Sequence, residues 1–164
     1  MGFHARFAGR DFKMPIARIA AAADLPPLLA LFSASDVSRH AEPIERARQI
    51  WSAALARDCL VVFVSEEASQ IVATCMLMTA PNLLRGGRAH GMIENVVTHP
   101  AFQGRGHGRA VIGAALEEAW QRGCRQVLLQ SGRADPRVHR FYERCGFKPG
   151  LRVAYAAPRP ADAG

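Results

Sequence analysis

Apolar and polar positions follow two different periods along this chain, and the change from one to the other divides it. IARIA, residues 16–20, alternates as a short strand does. DLPPLLALFSA follows, with leucines at helical spacing, prolines in the first turn and Asp24 placed to cap it. EPIERARQIWSAALAR, Glu42 to Arg57, carries Ile44, Ala47, Ile50, Trp51, Ala54 and Leu55 on one stripe and predicts a second amphipathic helix. Then the period shortens. CLVVFVSE (59–66) and QIVATCMLMTA (70–80) are runs rich in Val and Ile, joined by a short polar turn, and read as a hairpin. PNLLRGGR, Pro81 to Arg88, is a turn, and HGMIENVVTH (90–99) is the next strand. Aliphatic residues on both sides of Asn95 suit a central position in a sheet.

HPAFQGRGHGRAV, residues 99–111, breaks both periods, with Gly104, Gly106 and Gly108 alternating with Arg105, His107 and Arg109. Behind it a helix is predicted from Gly106 to Arg122, with Val111, Ile112, Ala115, Leu116 and Ala119 as its apolar face and Gly123 at C′. RQVLLQS (125–131) reads as a strand, Pro136 to Cys145 as a short helix ending at Gly146, and LRVAYAA (151–157) as a last strand. The order is β-α-α-β-β-β-α-β-α-β, an α/β fold with a mixed sheet in one domain over residues 14–157. Residues 1–13 are expected to be a loose extension, with Met14 as a second candidate start, and 158–164 a loose tail. The first residues lack the apolar core and cleavage site of a secretory signal.

Composition changes this picture little: 49% hydrophobic and 21% charged residues describe a globular chain, and no run of apolar residues is long enough for a membrane span. Charge changes it more. The net charge is +7 and the pI about 10.1, nearly all from arginine, since Lys13 and Lys148 are the only lysines. An anionic partner accounts for this, and so does the base composition of a GC-rich coding sequence; the clustering from Arg85 to Arg109 favours the former. Cys59, Cys75, Cys124 and Cys145 have neither zinc spacing nor the look of a disulfide framework, so reduced thiols and a cytoplasmic setting are expected.

The chemistry concentrates where a strand, the glycine run and a helix meet. Unpaired amides and the positive end of the dipole make a helix N-terminus an anion site, and bare glycines let a diphosphate approach closely. A Walker loop is excluded because its lysine is missing after Gly113, and a dinucleotide fingerprint because Arg109 stands where the third glycine belongs. Gln103-Gly104-Arg105-Gly106-His107-Gly108 matches Q/R-x-x-G-x-G/A instead. With NVVTHP before it and HRFYERCGF after it, residues 90–148 resemble the GNAT family of N-acetyltransferases, whose fold is a mixed, mostly antiparallel sheet flanked by helices.

That resemblance implies acetyl-CoA as donor. Val96, Val97 and Thr98 would offer backbone groups to its pantetheine arm, one amide polarising the thioester carbonyl. Gln103, Gly104, Arg105, Gly106, His107, Gly108 and Arg109 would hold the pyrophosphate, and Tyr142 matches the tyrosine that protonates the departing thiolate. Asp135 stands where many members carry an asparagine that contacts the cofactor, and is expected to cap the helix at Pro136 instead. Transfer to an amine needs a base. Glu94, a carboxylate in an otherwise apolar strand, is the candidate, with burial expected to raise its pKa. IENVV around it is similar to the IEDV-type stretch of glucosamine-6-phosphate N-acetyltransferases and other small-molecule members.

His99 and His139 are lesser candidates, one a turn residue and the other placed to tune Tyr142. Arg85 and Arg88 could meet a phosphate or carboxylate on the acceptor. Gln130 occupies the place of the glutamate base of protein-acetylating members, which favours a small-molecule amine over a peptide. A non-catalytic acyl-CoA-binding module would need neither Tyr142 nor Glu94. A nucleic-acid-binding module is disfavoured by scattered arginines and 7% aromatic residues. Homodimers are common in the family; no metal is expected.

Overall fold

A computed structural model describes residues 14–157; the extension 1–13 and the tail 158–164 expected from the sequence lie outside the described residues. One sheet of five strands runs in the order β1 (Ala17–Ile19), β2 (Leu60–Glu67), β3 (Gln70–Ala80), β4 (His90–Thr98), β5 (Gln126–Leu129). Neighbours are antiparallel except β4 and β5, which are parallel because helix α3 (His107–Gln121) crosses over between them.

The helices take opposite faces. α3 lies on one, where Val111, Ala115 and Ala119 join Phe63, Cys75, Leu77 and Ile93 in the larger core. α1 (Leu25–Ser33) lies on the other, where Leu28 and Leu31 pack with Val64, Ile71 and Val97. Burying each of these large side chains contributes ~1.5–3 kcal/mol. α2 (Ile44–Leu55) flanks α1, and α4 (Pro136–Arg144) follows β5.

Four expectations change on contact with the structure. The last strand does not form: 151–157 has no ladder partner, and Leu151, Val153 and Tyr155 are exposed, so the alternation there has no face to pack on. Asp24 does not cap α1. Its carboxylate accepts the Ala21 amide at 2.7 Å and pairs with Arg18 at 2.7 Å, closing a preceding 3-10 turn, Ala22–Asp24; the guanidinium holds its pKa below the usual carboxylate range. The stripe of α2 is not a buried stripe. Only Ala47 is fully buried, while Ile44, Ile50 and Leu55 are exposed. Helix α3 begins one residue later than predicted, because Gly106 is its N-cap at φ 95°.

Candidate active site

Strand β4 is built unevenly. Its pairing with β5 ends at Ile93↔Leu129, so among the described residues the segment from Glu94 to Thr98 pairs with β3 alone and its other edge is free. On the β3 side, Thr74 pairs with Val97 and Met76 with Glu94, so the one residue Cys75 faces two, Asn95 and Val96. Asn95 takes φ 53°, a left-handed conformation uncommon outside glycine, and absorbs this bulge. The extra residue resets the alternation: Ile93 and Val96 face α3, whereas Val97 faces α1. Glu94, half-buried, shares its face with its partner Met76 on the α1–α2 side.

The glycine run then turns into α3. Gly104 and Gly106 have φ 78° and 95°, which side chains with a Cβ adopt poorly, and a Cβ at Gly104 would meet nothing within 4 Å. Among the described residues, no backbone acceptor takes the amides of Gly104 to Arg109; the first bond is Ala110 N–H to the Gly106 carbonyl at 2.9 Å. That is an open cradle of donors at the positive end of a 15-residue helix.

Gly108 also plays a packing part that its spacing did not suggest. A Cβ there would lie 2.9 Å from Thr98 Oγ1 and 3.1 Å from Phe141 Cζ. Its bareness lets β4, α3 and α4 close on one another. Phe141 in turn packs on Tyr142, ring centroids 5.2 Å apart, and Phe147 closes the other side of Tyr142 at 6.3 Å. Burial raises the Tyr142 pKa, with smaller contributions that include the Glu94 charge, so the phenol holds its proton throughout the neutral range.

Three of the residues assigned to anion binding divide their duties. The His107 ring points into the protein: 3% exposed, it lies 2.9 Å from Ser65 Oγ and 2.8 Å from Glu67 Oε2, so only its backbone can face the cradle. Arg105 donates to Glu67 Oε1 at 2.8 Å and sits 4.9 Å over the Phe102 ring, which commits part of its charge. Glu67 is held below its ordinary pKa, chiefly by the His107 hydrogen bond and then by Arg105. Arg109 has no carboxylate partner among the described residues. Ser65 and Glu67 escaped notice in the sequence; a serine inside LVVFVSEE, two residues before a glutamate on the same strand, was the available signal.

Other assignments separate in space. Arg85 and Arg88 lie in or beside an exposed 3-10 turn, Arg85–Gly87, at the end of β4 opposite the glycine run. About 13 Å of strand separates His90 from Glu94 at ~3.3 Å per residue, so this turn stands well along β4 from the candidate base. His99 accepts the Ala101 amide at 3.1 Å and is a turn residue. His139 is exposed. Asp135 caps α4 by accepting the Arg137 amide at 2.8 Å, as expected. On the far side of β4, a cavity opens between α1, α2 and the sheet, with Asn95 and Val97 in its floor and Trp51 and Phe32 in its walls.

Residues 25–147 match the model of the Acetyltransferase (GNAT) family. The chain belongs to the GNAT acetyltransferases. Among its relatives are glucosamine 6-phosphate N-acetyltransferase of Trypanosoma brucei brucei, 39% identical over 87 residues, and glucosamine 6-phosphate N-acetyltransferase 1 of Oryza sativa subsp. japonica, 36% identical over 104. These matches take in 53% and 62% of this chain, and 57% and 61% of the two relatives. The chain therefore spans less than two thirds of either. A solved structure from Agrobacterium tumefaciens str. C58, provisionally described as an acetyltransferase, superposes with a TM-score of 0.81 at 40% identity, covering 87% of this chain and 99% of that one. The GNAT fold and its mixed sheet are thus established on both sequence and shape.

Proposed function

We propose that this GNAT domain is an acetyl-CoA-dependent N-acetyltransferase acting on the primary amine of a small molecule. The observation that carries the reading is the convergence of a free β4 edge, a glycine cradle and Tyr142 about the Gly108 contact. The cradle suits a diphosphate because its donors are unpaired and its glycines keep side chains clear. The free edge of Val96, Val97 and Thr98 suits an extended amide-bearing arm. Acetyl-CoA supplies an activated acetyl group and a thiol that can leave.

The chain's own residues do the rest. Glu94 takes a proton from the ammonium or amine, directly or through water, so that the nitrogen presents its lone pair. A backbone amide of the bulged strand stabilises charge on the carbonyl oxygen. Tyr142, neutral because burial raises its pKa, gives its proton to the departing sulfur. Starting from the neutral amine, one N–C bond forms and one C–S bond breaks. Glu94 holds the proton lost by nitrogen, Tyr142 supplies the one gained by sulfur, and exchange with solvent restores both groups; an ammonium first releases one further proton to water. Gln103 and Arg109 complete the cofactor side. A cytoplasmic setting and homodimeric assembly belong to the same proposal, on the strength of the family resemblance.

The test is calorimetric titration of acetyl-CoA. Micromolar binding is expected, and Gly106→Val, which puts a β-branched side chain at φ 95°, should weaken it at least about tenfold, the size of one lost charge-assisted contact. Unchanged affinity in that variant would overturn the reading. Tyr142→Phe should lower turnover by about 10²-fold with little change in acetyl-CoA affinity.

A further inference from the structure

The cavity on the α1–α2 side has a volume of about 300 Å³, at the small end for sites that enclose an organic molecule. Its walls are formed by Leu28, Phe32, Ile50, Trp51, Val62 and Met76. Glu94 is not itself a lining residue; it pairs with Met76 and adjoins Asn95, which both line the cavity, so the candidate base stands at the cavity's edge.

Three polar side chains of the lining are already committed. The Trp51 Nε1–H donates to the Ala22 carbonyl at 3.2 Å, so the indole presents only its ring to the cavity. The Thr74 hydroxyl donates to the Phe63 carbonyl at 2.9 Å. The His40 ring lies 3.0 Å from Ser33 Oγ and 3.3 Å from the Ala41 carbonyl oxygen. What remains for a ligand is Ser38 and Arg39 in the segment between α1 and α2, and Asn95 below. Among the described residues, no Asp or Glu lines the cavity.

This lining discriminates between acceptor chemistries. A sugar phosphate could set its phosphate against Arg39, but it also brings a hydroxyl on nearly every carbon, and each one taken from water without a partner costs affinity. A polycationic aminoglycoside needs several carboxylates around it, and among the described residues the cavity has only Glu94, at its edge. A hydrocarbon body loses nothing here and gains contact with two aromatic rings. We propose that the acceptor is a compact primary monoamine carried on an aryl or branched-alkyl body, seated against Trp51 and Phe32 with its nitrogen towards Glu94. The inference rests on the acetyl-transfer reading above and narrows its substrate class.

The experiment compares kcat/KM for 2-phenylethylamine, glucosamine 6-phosphate and tobramycin by thiol release from acetyl-CoA, using the full chain, with acetyl-CoA binding measured in parallel. Phenylethylamine is expected to exceed glucosamine 6-phosphate by about 100-fold, the effect of two hydroxyls left unpartnered. Trp51→Ala should raise KM for phenylethylamine about tenfold and leave KM for acetyl-CoA unchanged. If that variant does not fold, Ile50→Asn at a half-exposed wall position makes the same test. Preference for the sugar phosphate or the aminoglycoside overturns the substrate class and leaves the transfer standing. So does acetyl-CoA binding with no turnover of phenylethylamine. Failure to bind acetyl-CoA overturns the transfer reading and this inference together.

Discussion

Helix α3 buries Val111, Ile112, Ala115 and Ala119 completely, whereas α2, with a stripe just as regular, buries Ala47 and leaves Ile50 50% exposed. The stripes are alike in sequence; what covers them is not. α3 lies across β1 to β4 and meets side chains from each. α2 leans on β2 and the 3-10 turn before α1, and a cavity stands between it and the centre of the sheet. An apolar stripe reports which side of a helix avoids water. It does not report whether the protein's own core or a bound molecule provides the shelter.

The contrast can be broken by mutation. Ile112→Ala, at a fully buried position, should cost ~2–5 kcal/mol, read as a lower midpoint in thermal or denaturant unfolding. A loss below ~1 kcal/mol would mean that the α3 face is no better packed than that of α2. Gly108→Ala should come next, at ~1–3 kcal/mol, because the new methyl meets Thr98 Oγ1 at 2.9 Å and Phe141 at 3.1 Å. Ile50→Ala should cost under ~1 kcal/mol in the same assay; a loss equal to that of Ile112→Ala would erase the difference between the two helices.

The smallest effect concerns Glu67, which anchors the start of α3 through His107 and Arg105 but is open to solvent. Its folded pKa is depressed, so its contribution to stability is present above the ordinary glutamate range and fades as pH falls through the folded value. Glu67→Gln should therefore flatten the acid limb of stability against pH and leave the neutral region nearly level. An unchanged acid limb would show that this anchor adds nothing.

The period of apolar residues made β2, β3, β4, α1 and α3 legible, because each of those patterns ends up against a face of the sheet or within it. It misled at 151–157, where V-x-Y alternation finds no neighbour, and at Asp24, where an arginine six residues earlier outcompetes the helix amides for the carboxylate. The glycine motif located the cradle but not the direction of its side chains. His107 reads like a loop donor until Ser65 and Glu67, more than forty residues away in sequence or close to it, are seen beside its ring. Arg85 and Arg88 stand in the turn before β4, and the extended strand sets that turn at the end away from the glycine run. The bulge at Asn95 was not read from the pattern, although Asn is depleted in strands, tolerates positive φ and here precedes two adjacent valines that break the alternation.

With only a hydrogen at Gly108, the first turn of α3 rests directly on Thr98 and on Phe141. The amides of the cradle and the free edge of β4 are thereby parts of one rigid piece, held at a set separation. Under the proposed function that piece is a gauge: it measures the span between a diphosphate and a thioester and accepts a donor only of matching length. An acetyl donor whose arm lacks the β-alanine unit could satisfy the amides or the strand, never both, and should be turned over poorly even where it still binds.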